Sequence, residues 1–428
     1  MELQPVKGMR DFAPPDLGRR LWLFARFRET ARRFNFHEYE PALLEHEELY
    51  VRKEGDEITE QLYGFQDKGG RRVALRPELT PSLVRMIASR RGELAFPLRW
   101  FTIGQCFRYE KMQRGRKREH VQWNMDIVGE PGIGAELELL ATLADFFRSV
   151  GLAEKDVSIR FNNRGILSEV LTRAGLPEER FAEVSVVIDK REKIGDAAVA
   201  DTLAQKGIAS EVTDRILAFM NAASLEECEG ALGYTPAAAG EVRELQARAA
   251  AYGIEGFLKY SPALVRGLSY YTGTVFEAFD ASGQGRAICG GGRYDRLMET
   301  FGGPPTPMVG FGFGDVVISL MLEERGLFPS HDNEVAALVA AFSAEESSAA
   351  TLAARALREA GVRTELDVSF QKLKKVFARA SRQGFSHVVS AGPEEVREGM
   401  LAVKDLRAGV EEKVPAGELV RVVISGRG

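Results

Sequence analysis

The chain has 428 residues, too many for one ordinary domain, and its length predicts about three folded units. Hydrophobic residues make up 45% and charged residues 28% of the sequence, which excludes bulk disorder, and no apolar run approaches the ~20 residues that cross a bilayer. The 57 basic and 62 acidic residues leave a net charge of −5, which does not exclude a nucleic-acid partner, because local patches carry that signal.

The first hundred residues are predicted to mix helices with short strands. Apolar residues recur at helical spacing over residues 21–31 and predict an amphipathic helix. Residues 36–41 form a short extended segment that ends at a proline, and residues 71–75 are typical of a strand. Residues 80–91 then predict a helix, with Pro81 in the first turn, where its missing N–H is harmless.

Two runs of β-forming residues, 99–109 and 120–128, flank the most basic segment of the chain. That segment, 108–118, holds six cations and one acid in eleven residues. The two runs are predicted to pair as an antiparallel hairpin with a long cationic loop, although such a charge run is as often only a solvated surface loop. Alternation places three polar residues on one face of the second strand: Gln122, Asn124 and Asp126.

The middle of the chain is predicted to be helical. A helix is expected over 135–150, and residues 155–255 show helical periodicity without a chemical motif, which indicates a helical insertion or connector. Two glycine clusters follow, at 290–292 and 310–314, and the second leads into a predicted buried helix. Glycines at 290–292 allow a ligand to approach the backbone closely, but a simple tight turn is the alternative. Neither cluster fits GxGxxG or GxxxxGK[ST], which disfavours the nucleotide-binding folds that use those motifs.

A domain boundary is predicted near residues 328–331, where the pattern becomes β–α–β–α–β. This alternation predicts a small α/β domain with a partly parallel sheet. Its second helix, expected over 369–383, carries several cations, which indicate either an ordinary solvated face or contact with RNA. These cations are Lys372, Lys374, Lys375, Arg379 and Arg382.

The N-terminus has no apolar signal-peptide core, and the three cysteines are far apart in sequence. Their odd number and the lack of CxxC spacing indicate neither a disulfide framework nor a cysteine-rich zinc site. The chain is therefore expected to be a cytoplasmic protein that binds no membrane.

The residue types near the hairpin suit a ligand that carries both phosphate and amine. Arginine suits phosphate because its planar guanidinium donates two parallel hydrogen bonds, and an acidic strand face suits an ammonium group. Glu78 and Thr80, just after a strand, are suited to an α-amino group, although a Glu before a helix is usually a cap. Residues 264–273 place an arginine and two phenols on a turn of small residues, where the alternative is an aromatic turn in a core.

Together these segments resemble histidyl-tRNA synthetase, a class II aminoacyl-tRNA synthetase family. The matching segments, in chain order, are 7–12, 40–41 in a motif-1-like stretch, 75–80, the motif-2-like 107–116, 264–277, 289–295, the motif-3-like 310–314, and 399–406. The resemblance implies an α+β fold, in which an antiparallel class II sheet with flanking helices spans 1–328. A helical insertion at about 155–255 and a small α/β anticodon-binding domain at 331–428 complete the implied architecture.

The resemblance also implies an activity, histidine–tRNA ligase. Such an enzyme activates L-histidine with ATP to histidyl-adenylate and transfers histidine to the 3′ end of tRNA(His), as a homodimer and with Mg²⁺. One alternative is the non-catalytic regulatory subunit of ATP phosphoribosyltransferase, which typically lacks the C-terminal domain and the motif 2 arginines that this chain has. The other is a stand-alone RNA-binding module, for which the phosphate-binding arginines would have no use.

The family's roles carry over to matching positions of this sequence. The catalytic residues implied are Arg108 and Arg266, which hold the α-phosphate of ATP. The implied histidine-binding residues are Glu78, Thr80, Gln122, Asp126, Tyr270, Tyr271 and Gly291. The implied ATP-binding residues are Arg108, Glu110, Arg116, His120 and Arg266. No metal ligand is indicated.

Two departures from the family pattern bear on the ATP site. Motif 3 normally carries an arginine after its glycines, but none follows Gly314 until Arg325, which leaves Arg266, Arg293 or another group to replace it. His120 stands where the family commonly has a phenylalanine that stacks on adenine. Because a histidine titrates near neutrality, ATP affinity is expected to vary with pH there.

Overall fold

The computed structural model describes residues 3–51, 56–265, 270–282, 286–329 and 336–425. The chain divides into two compact units, 1–328 and 329–428. The strands of the first unit are β1 (His37–Glu38), β2 (Leu44–His46), β3 (Tyr63–Gln66), β4 (Arg72–Leu75), β5 (Leu98–Phe107), β6 (Glu119–Val128), β7 (Val157–Asn163), β8 (Leu258–Tyr260), β9 (Thr274–Asp280), β10 (Cys289–Arg293) and β11 (Met308–Gly314). Its helices are α1 (Pro14–Arg33), α2 (Glu48–Val51), α3 (Asp56–Gln61), α4 (Thr80–Arg90), α5 (Gly134–Ser149), α6 (Arg164–Arg173), α7 (Phe181–Asp189), α8 (Arg191–Gln205), α9 (Ser210–Asn221), α10 (Leu225–Leu232), α11 (Ala239–Tyr252) and α12 (Asp315–Glu324).

An eight-stranded sheet with the order β1-β5-β6-β11-β10-β9-β7-β8 organises the first unit. Its central strands, from β5 to β7, pair antiparallel, whereas the outer pairs β1–β5 and β7–β8 are parallel. The antiparallel sheet expected from the sequence is therefore confirmed, with parallel pairs added at its edges. A second, three-stranded antiparallel sheet has the order β2-β4-β3.

The predicted hairpin is formed by β5 and β6. Their register runs from Leu98 opposite Val128 to Phe107 opposite Glu119, and the cationic loop connects the two strands. Strand alternation divides β6 between two environments. Trp123 is fully buried in the hydrophobic core, whereas its neighbours Gln122 and Asn124 line a cavity on the other face of the sheet.

Aromatic packing against α1 and α5 covers the core face of the sheet. The ring of Phe27 in α1 stacks on Trp123 with 4.6 Å between ring centroids. Phe146 of α5 lies 4.9 Å from Phe27 and 5.1 Å from Phe313 of β11 by the same measure. Offset and edge-to-face contacts of this kind stabilise a core beyond the area that they bury. The sheet is thus held against two helices, and its opposite face remains available for a ligand.

The glycine clusters lie in neighbouring strands of the sheet, 290–292 in β10 and 310–314 in β11. A Cβ atom on Gly291 would clash with the carbonyl oxygen of Gly310 and the ring of Phe276. Glycine is required at 291 because the strands and the core approach one another closely. The tight-turn alternative for 290–292 is therefore wrong.

The helical segment in the middle of the chain begins later than residue 155. Strand β7 occupies residues 157–163 and pairs with β9 over its whole length, so these residues belong to the sheet. Val157, Ile159 and Phe161 are buried at alternate positions, the pattern of a strand with one face in the core. Helices α6 to α11 then fill residues 164–252.

The second unit is a five-stranded sheet with helices and its own hydrophobic core. Its elements are β12 (Ala336–Ala341), α13 (Ser347–Glu359), β13 (Arg363–Asp367), α14 (Leu373–Arg382), β14 (His387–Ala391), α15 (Pro393–Arg397), β15 (Met400–Asp405), β16 (Glu411–Pro415) and α16 (Leu419–Ser425). Strand β12 pairs in parallel with β13 and β14, and β15 and β16 continue the sheet antiparallel. The predicted partly parallel sheet is confirmed.

Helix α14 begins at Leu373 and not at residue 369. The backbone N–H of Ser369 donates to the Asp367 carboxylate at 2.8 Å, and Phe370 has a positive φ of 48°. These features form a turn that delays the helix. Among the described residues of both units, no helix combines the length and apolar character needed to cross a membrane.

Candidate active site

A cavity of about 1000 Å³ lies on the face of the large sheet opposite the aromatic core. Strands β6, β10 and β11 form its floor, the loop between β5 and β6 forms one wall, and the beginning of α12 contributes Val316 and Val317. The volume is at the upper end of what small-molecule sites usually have, which suits a ligand as large as a nucleotide with a second substrate.

Ten residues singled out from the sequence line this cavity: Glu78, Thr80, Arg108, Glu110, Arg116, His120, Gln122, Asp126, Tyr270 and Tyr271. Segments that are distant in sequence are therefore brought to one place by the antiparallel sheet. Arg266 lies outside the described residues. Gly291 is not among the described lining residues, because a side chain at this position would be directed into the core, toward Phe276. The neighbouring glycine of β10, Gly290, borders the cavity instead.

One end of the cavity carries buried hydrogen-bond acceptors. Within the described part of the chain, Oε1 of Glu78, Oδ1 of Asn124 and Oδ2 of Asp126 are buried and have no hydrogen-bond partner. Buried polar atoms are almost always paired, so three such atoms around one space indicate a ligand that brings donors. A cationic amine or a ring N–H has the required chemistry.

Asp126 and Tyr294 form a hydrogen-bonded pair at this end, with the Tyr294 hydroxyl donating to Oδ1 of Asp126. Burial raises the pKa of Asp126 to about 7; the Tyr294 hydrogen bond opposes this shift, and the nearby Glu78 adds to it. Asp126 therefore changes its charge within the physiological range. Sequence reasoning assigned no role to Tyr294, although it lies in the 289–295 segment that carries part of the family resemblance.

Aromatic rings close this end of the cavity. The centroids of Tyr270 and Tyr271 are 5.1 Å apart, and that of Tyr294 lies 5.8 Å from Tyr270. Asn124 Nδ2 donates to Thr80 Oγ1 at 3.4 Å, which orients the amide so that its oxygen is directed away from Thr80. The sequence pattern put Asn124 on the same strand face as Gln122 and Asp126, but no ligand-binding role was predicted for it. That shared face was the signal from which such a role could have been predicted.

The other end of the cavity is rich in arginine. Nε of Arg108 donates to the carbonyl oxygen of Pro77 at 2.9 Å, which fixes the direction of its guanidinium. Nε of Arg116 lies 2.5 Å from Oε2 of Glu110, so two residues expected at the ATP site form an ion pair with each other. The carboxylate is almost fully buried and the arginine is 43% exposed, so Arg116 is accessible to an incoming anion.

His120 differs in its titration from the sequence expectation. Burial is the largest cause that lowers the pKa of His120, to about 3, and the positive charges of Arg108 and Arg10 lower it further. The imidazole is therefore neutral at any pH near 7. The prediction that ATP affinity varies with the charge of His120 near neutrality is wrong for this reason.

The N-terminal segment contacts two of the elements that form the cavity, β6 and the start of α12. Arg10 forms an ion pair with Asp315 at 2.9 Å, and its backbone N–H donates to Glu119 at 3.1 Å. The second oxygen of Asp315 accepts from the backbone N–H of Val121 at 2.9 Å. Asp315, which follows the motif-3-like glycines, therefore connects the start of α12 to β6 and to the N-terminal segment.

The structure excludes one candidate for the missing motif 3 arginine. Arg293 is buried and bonded to Glu136 at 2.6 Å and Asp295 at 3.3 Å, and it does not line the cavity. Arg286, which sequence reasoning did not single out, does line it. No spacing or motif surrounds Arg286, so sequence alone offered no signal for it.

Comparisons with known proteins agree with this geometry. The profile of the family described as Histidyl-tRNA synthetase matches residues 8–314, and that of the Anticodon binding domain matches residues 335–425. The chain is 42% identical over 419 residues to a chloroplastic/mitochondrial histidine–tRNA ligase of Arabidopsis thaliana, covering 98% of this chain and 86% of that protein. It is 40% identical over 426 residues to the histidine–tRNA ligase of Opitutus terrae, covering 98% of each. The crystal structure of histidyl-tRNA synthetase from Nostoc sp. PCC 7120 superposes with a TM-score of 0.84 at 24% identity, over the full length of both chains, and supports the fold.

Proposed function

The chain belongs to the histidyl-tRNA synthetase family, and we propose that the cavity on its large sheet is where L-histidine and ATP react. The activity is that of a histidine–tRNA ligase, an ATP-dependent aminoacyl-tRNA synthetase. One observation carries the assignment of the site: unpartnered buried acceptors and accessible arginine lie at opposite ends of a single cavity. An amino acid with two kinds of N–H donor and a nucleotide triphosphate match those two ends.

Histidine occupies the acceptor end. Its α-ammonium group and imidazole N–H supply the donors that Glu78, Asn124 and Asp126 need. The rings of Tyr270 and Tyr271 line the imidazole, and Thr80 and Gln122 complete the polar contacts. This arrangement directs the histidine carboxylate toward Arg108.

ATP occupies the arginine end. Arg108 holds the α-phosphate, Arg116 the outer phosphates, and His120 stacks on adenine as a neutral ring. When phosphate draws Arg116 away, the Glu110 carboxylate becomes an acceptor for the amino group of adenine. Arg266, which lies outside the described residues, is assigned to the α-phosphate by the family resemblance.

The reaction needs alignment more than proton transfer. A carboxylate oxygen of histidine attacks the α-phosphorus, a new P–O bond forms, the bond to the bridging oxygen breaks, and pyrophosphate leaves. Because the nucleophile is already an anion, no protein base is required. The chain contributes by holding the reactants together and by placing guanidinium groups where negative charge shifts.

Mg²⁺ accompanies ATP in this proposal. Among the described residues, no group of three or more His, Cys, Asp or Glu side chains is arranged to hold a metal. That fits Mg²⁺, which is usually bound by substrate phosphates with one or two carboxylates and several waters. Glu277 lines the cavity and is the candidate ligand, since Glu110 is assigned to adenine. When bound, the ion shields phosphate charge.

The second unit serves the tRNA. Its match to the anticodon-binding profile supports a role for residues 331–428 in recognising the anticodon loop of tRNA(His). Helices α6 to α11 are assigned to the acceptor side of the tRNA, as the helical insertion of the first unit. Histidine then passes from the adenylate to the 3′ end of the tRNA.

The enzyme acts as a homodimer in this proposal. Among the described residues, four large apolar side chains near the motif-1-like stretch are exposed in the single chain: Leu43, Leu44, Val51 and Phe65. Exposed apolar side chains on neighbouring elements are typical of an interaction surface. The compartment proposed is the cytoplasm, since the three cysteines are all free and buried.

The regulatory-subunit alternative is disfavoured. A regulator without catalysis has no need for the phosphate-binding arginines Arg108 and Arg116, or for a unit that matches the anticodon-binding profile. The two interpretations are separated by pyrophosphate exchange with histidine, ATP and Mg²⁺. Histidine-dependent incorporation of labelled pyrophosphate into ATP is the expected result, and its absence from well-folded protein would overturn the proposed function.

A further inference from the structure

We infer that Arg286 supplies the phosphate-binding cation that the motif 3 helix of this chain lacks. Arg286 lies just before β10 and lines the cavity beside the motif-2-like loop. The inference rests on the proposed function and adds to it a residue that binds ATP. It concerns the side of the cavity where α12 presents Val316 and Val317 in place of an arginine.

The side chains of Arg286 and of Val317 in α12 border the same residue of the motif-2-like loop, Gly115. Val317 Cγ2 and Arg286 Cδ both approach one point above Gly115, where a Cβ atom would lie 3.4 Å from the first and 3.5 Å from the second. The two side chains therefore flank the same glycine of the loop. An arginine extended from position 317 and an arginine at 286 would reach the same part of the cavity.

The contacts of Arg286 leave its charge available. Its guanidinium donates to Gln113 Oε1 at 2.6 Å, a neutral amide that orients the group without neutralising it. Arg293 shows the contrasting case, since its guanidinium is bonded to the buried carboxylate of Glu136. An oriented arginine of this kind that borders a cavity is suited to an anionic ligand.

The surrounding charges also favour an anion at this place. Burial and the nearby positive charge of Arg116 lower the pKa of Arg286, while Glu110 opposes the shift. Two guanidinium groups repel each other across the cavity, and Glu110 is already paired with Arg116. A triphosphate that enters between them relieves the repulsion. Arg116 and Arg286 would then hold the outer phosphates from two sides, with the Gln113 amide orienting Arg286.

The test is an arginine exchange between the two positions, followed by pyrophosphate exchange and by direct titration of ATP binding. Arg286→Ala should lower kcat/KM for ATP by about 10²-fold, as for loss of one pre-organised donor, with KM for histidine much less affected. Arg286→Lys should recover part of this loss, because lysine keeps the charge without the planar fork. The double variant Arg286→Ala/Val317→Arg should regain activity and ATP affinity relative to Arg286→Ala.

Arg114→Ala is the matched control. Arg114 belongs to the loop between β5 and β6, is 80% exposed, pairs with Glu324 and does not line the cavity. Its removal should therefore leave kcat/KM and affinity for ATP within about twofold of the unaltered values. An Arg286→Ala enzyme with near-normal kcat/KM for ATP would overturn the inference, as would failure of Val317→Arg to restore any activity. Neither result touches the proposed function, which fails only if the unaltered protein shows no histidine-dependent exchange.

Discussion

The hydroxyl of Tyr294 donates a hydrogen bond to Oδ1 of Asp126 at the end of the cavity assigned to histidine. The second carboxylate oxygen, Oδ2, is buried without a partner among the described residues. Tyr294 thus hydrogen-bonds one carboxylate oxygen of Asp126 and leaves the other available to a ligand. Since burial raises the pKa of Asp126 to about 7, the charge of that free oxygen depends on pH in the range where the enzyme works.

Histidine binding is predicted to strengthen as Asp126 ionises. Below pH 7 the carboxyl group is largely protonated and attracts an N–H donor weakly; above pH 7 it is an anion, so KM for histidine should fall as pH rises from 6 to 8. Asp126→Asn should lose the part of this dependence that comes from Asp126 and raise KM at pH 8 by roughly 10- to 100-fold, the usual value of a charged hydrogen bond. KM from pyrophosphate exchange across this range checks the prediction.

Tyr294→Phe is the companion variant for the same titration. The Tyr294 hydrogen bond lowers the pKa of Asp126, so its removal should move the pH profile of KM to higher pH while kcat at high pH changes little. Free histidine also titrates near pH 6.5, but that titration is common to all the variants. Profiles for the unaltered enzyme and Asp126→Asn that run parallel would contradict the role of Asp126.

His120 is predicted to act as an uncharged stacking ring. With a pKa lowered to about 3, it stays neutral between pH 6 and 9, so replacing it by phenylalanine should not change the pH dependence of KM for ATP. His120→Ala should raise KM for ATP by about 5- to 150-fold, because stacking a base on an aromatic ring is worth roughly 1–3 kcal/mol. Initial rates at several ATP concentrations measure both effects. A loss of pH dependence in His120→Phe alone would indicate that the imidazole titrates.

The sheet and the polar side of the cavity followed from local pattern. Alternation along β6 separates Trp123, in the core, from Gln122 and Asn124, at the cavity, and that period is set by strand geometry alone. The sequence pattern did not predict β7. The alternation of Val157 and Ile159 is short, and these residues were included in the Ala- and Glu-rich helical segment that follows them.

Long-range electrostatics could not be predicted from the sequence. The pKa of His120 depends on burial and on Arg108 and Arg10, which only the folded sheet brings near it. Arg286 lies in no motif, and its relation to Val317 arises from the pairing of β10 with β11 and the start of α12. Such features depend on tertiary proximity, which local periodicity does not encode.

Arg266 is predicted to act mainly on the transition state. The family resemblance places its guanidinium at phosphate charge that shifts as pyrophosphate departs, so Arg266→Ala should lower kcat for adenylate formation by about 10²–10³ with smaller changes in KM. Arg266→Lys should restore only part of the rate. Single-turnover adenylate formation measures this directly. If the residue is instead structural, the variant will lose thermal stability and its rate will follow the folded fraction.

Dimerisation is predicted to bury the apolar side chains near the motif-1-like stretch. Leu43 and Leu44 are 43% and 42% exposed in the single chain, and obligate dimers typically bury on the order of 2,000 Å² or more. Light scattering at micromolar concentration should give about twice the 47.2 kDa chain mass. Leu43→Glu/Leu44→Glu should shift the mass toward the monomer and lower activity. An unaltered protein that is monomeric and fully active would contradict the dimer.

The second unit is predicted to affect tRNA but not amino-acid activation. Every described residue that lines the cavity belongs to the first unit, so a chain that ends at residue 328 should keep pyrophosphate exchange while KM for tRNA rises. Lys374→Ala/Lys375→Ala, on the exposed side of α14, tests the same point without deletion. If these lysines bind phosphate, KM for tRNA should rise. The slope of log KM for tRNA against the logarithm of the salt concentration should also decrease by about 0.7–0.9 for each phosphate that the variant no longer binds. An unchanged KM and salt slope in the lysine variant would mean that this helix face is only solvated. Equal loss of pyrophosphate exchange and of tRNA charging on deletion would mean that the second unit supports the fold of the first unit.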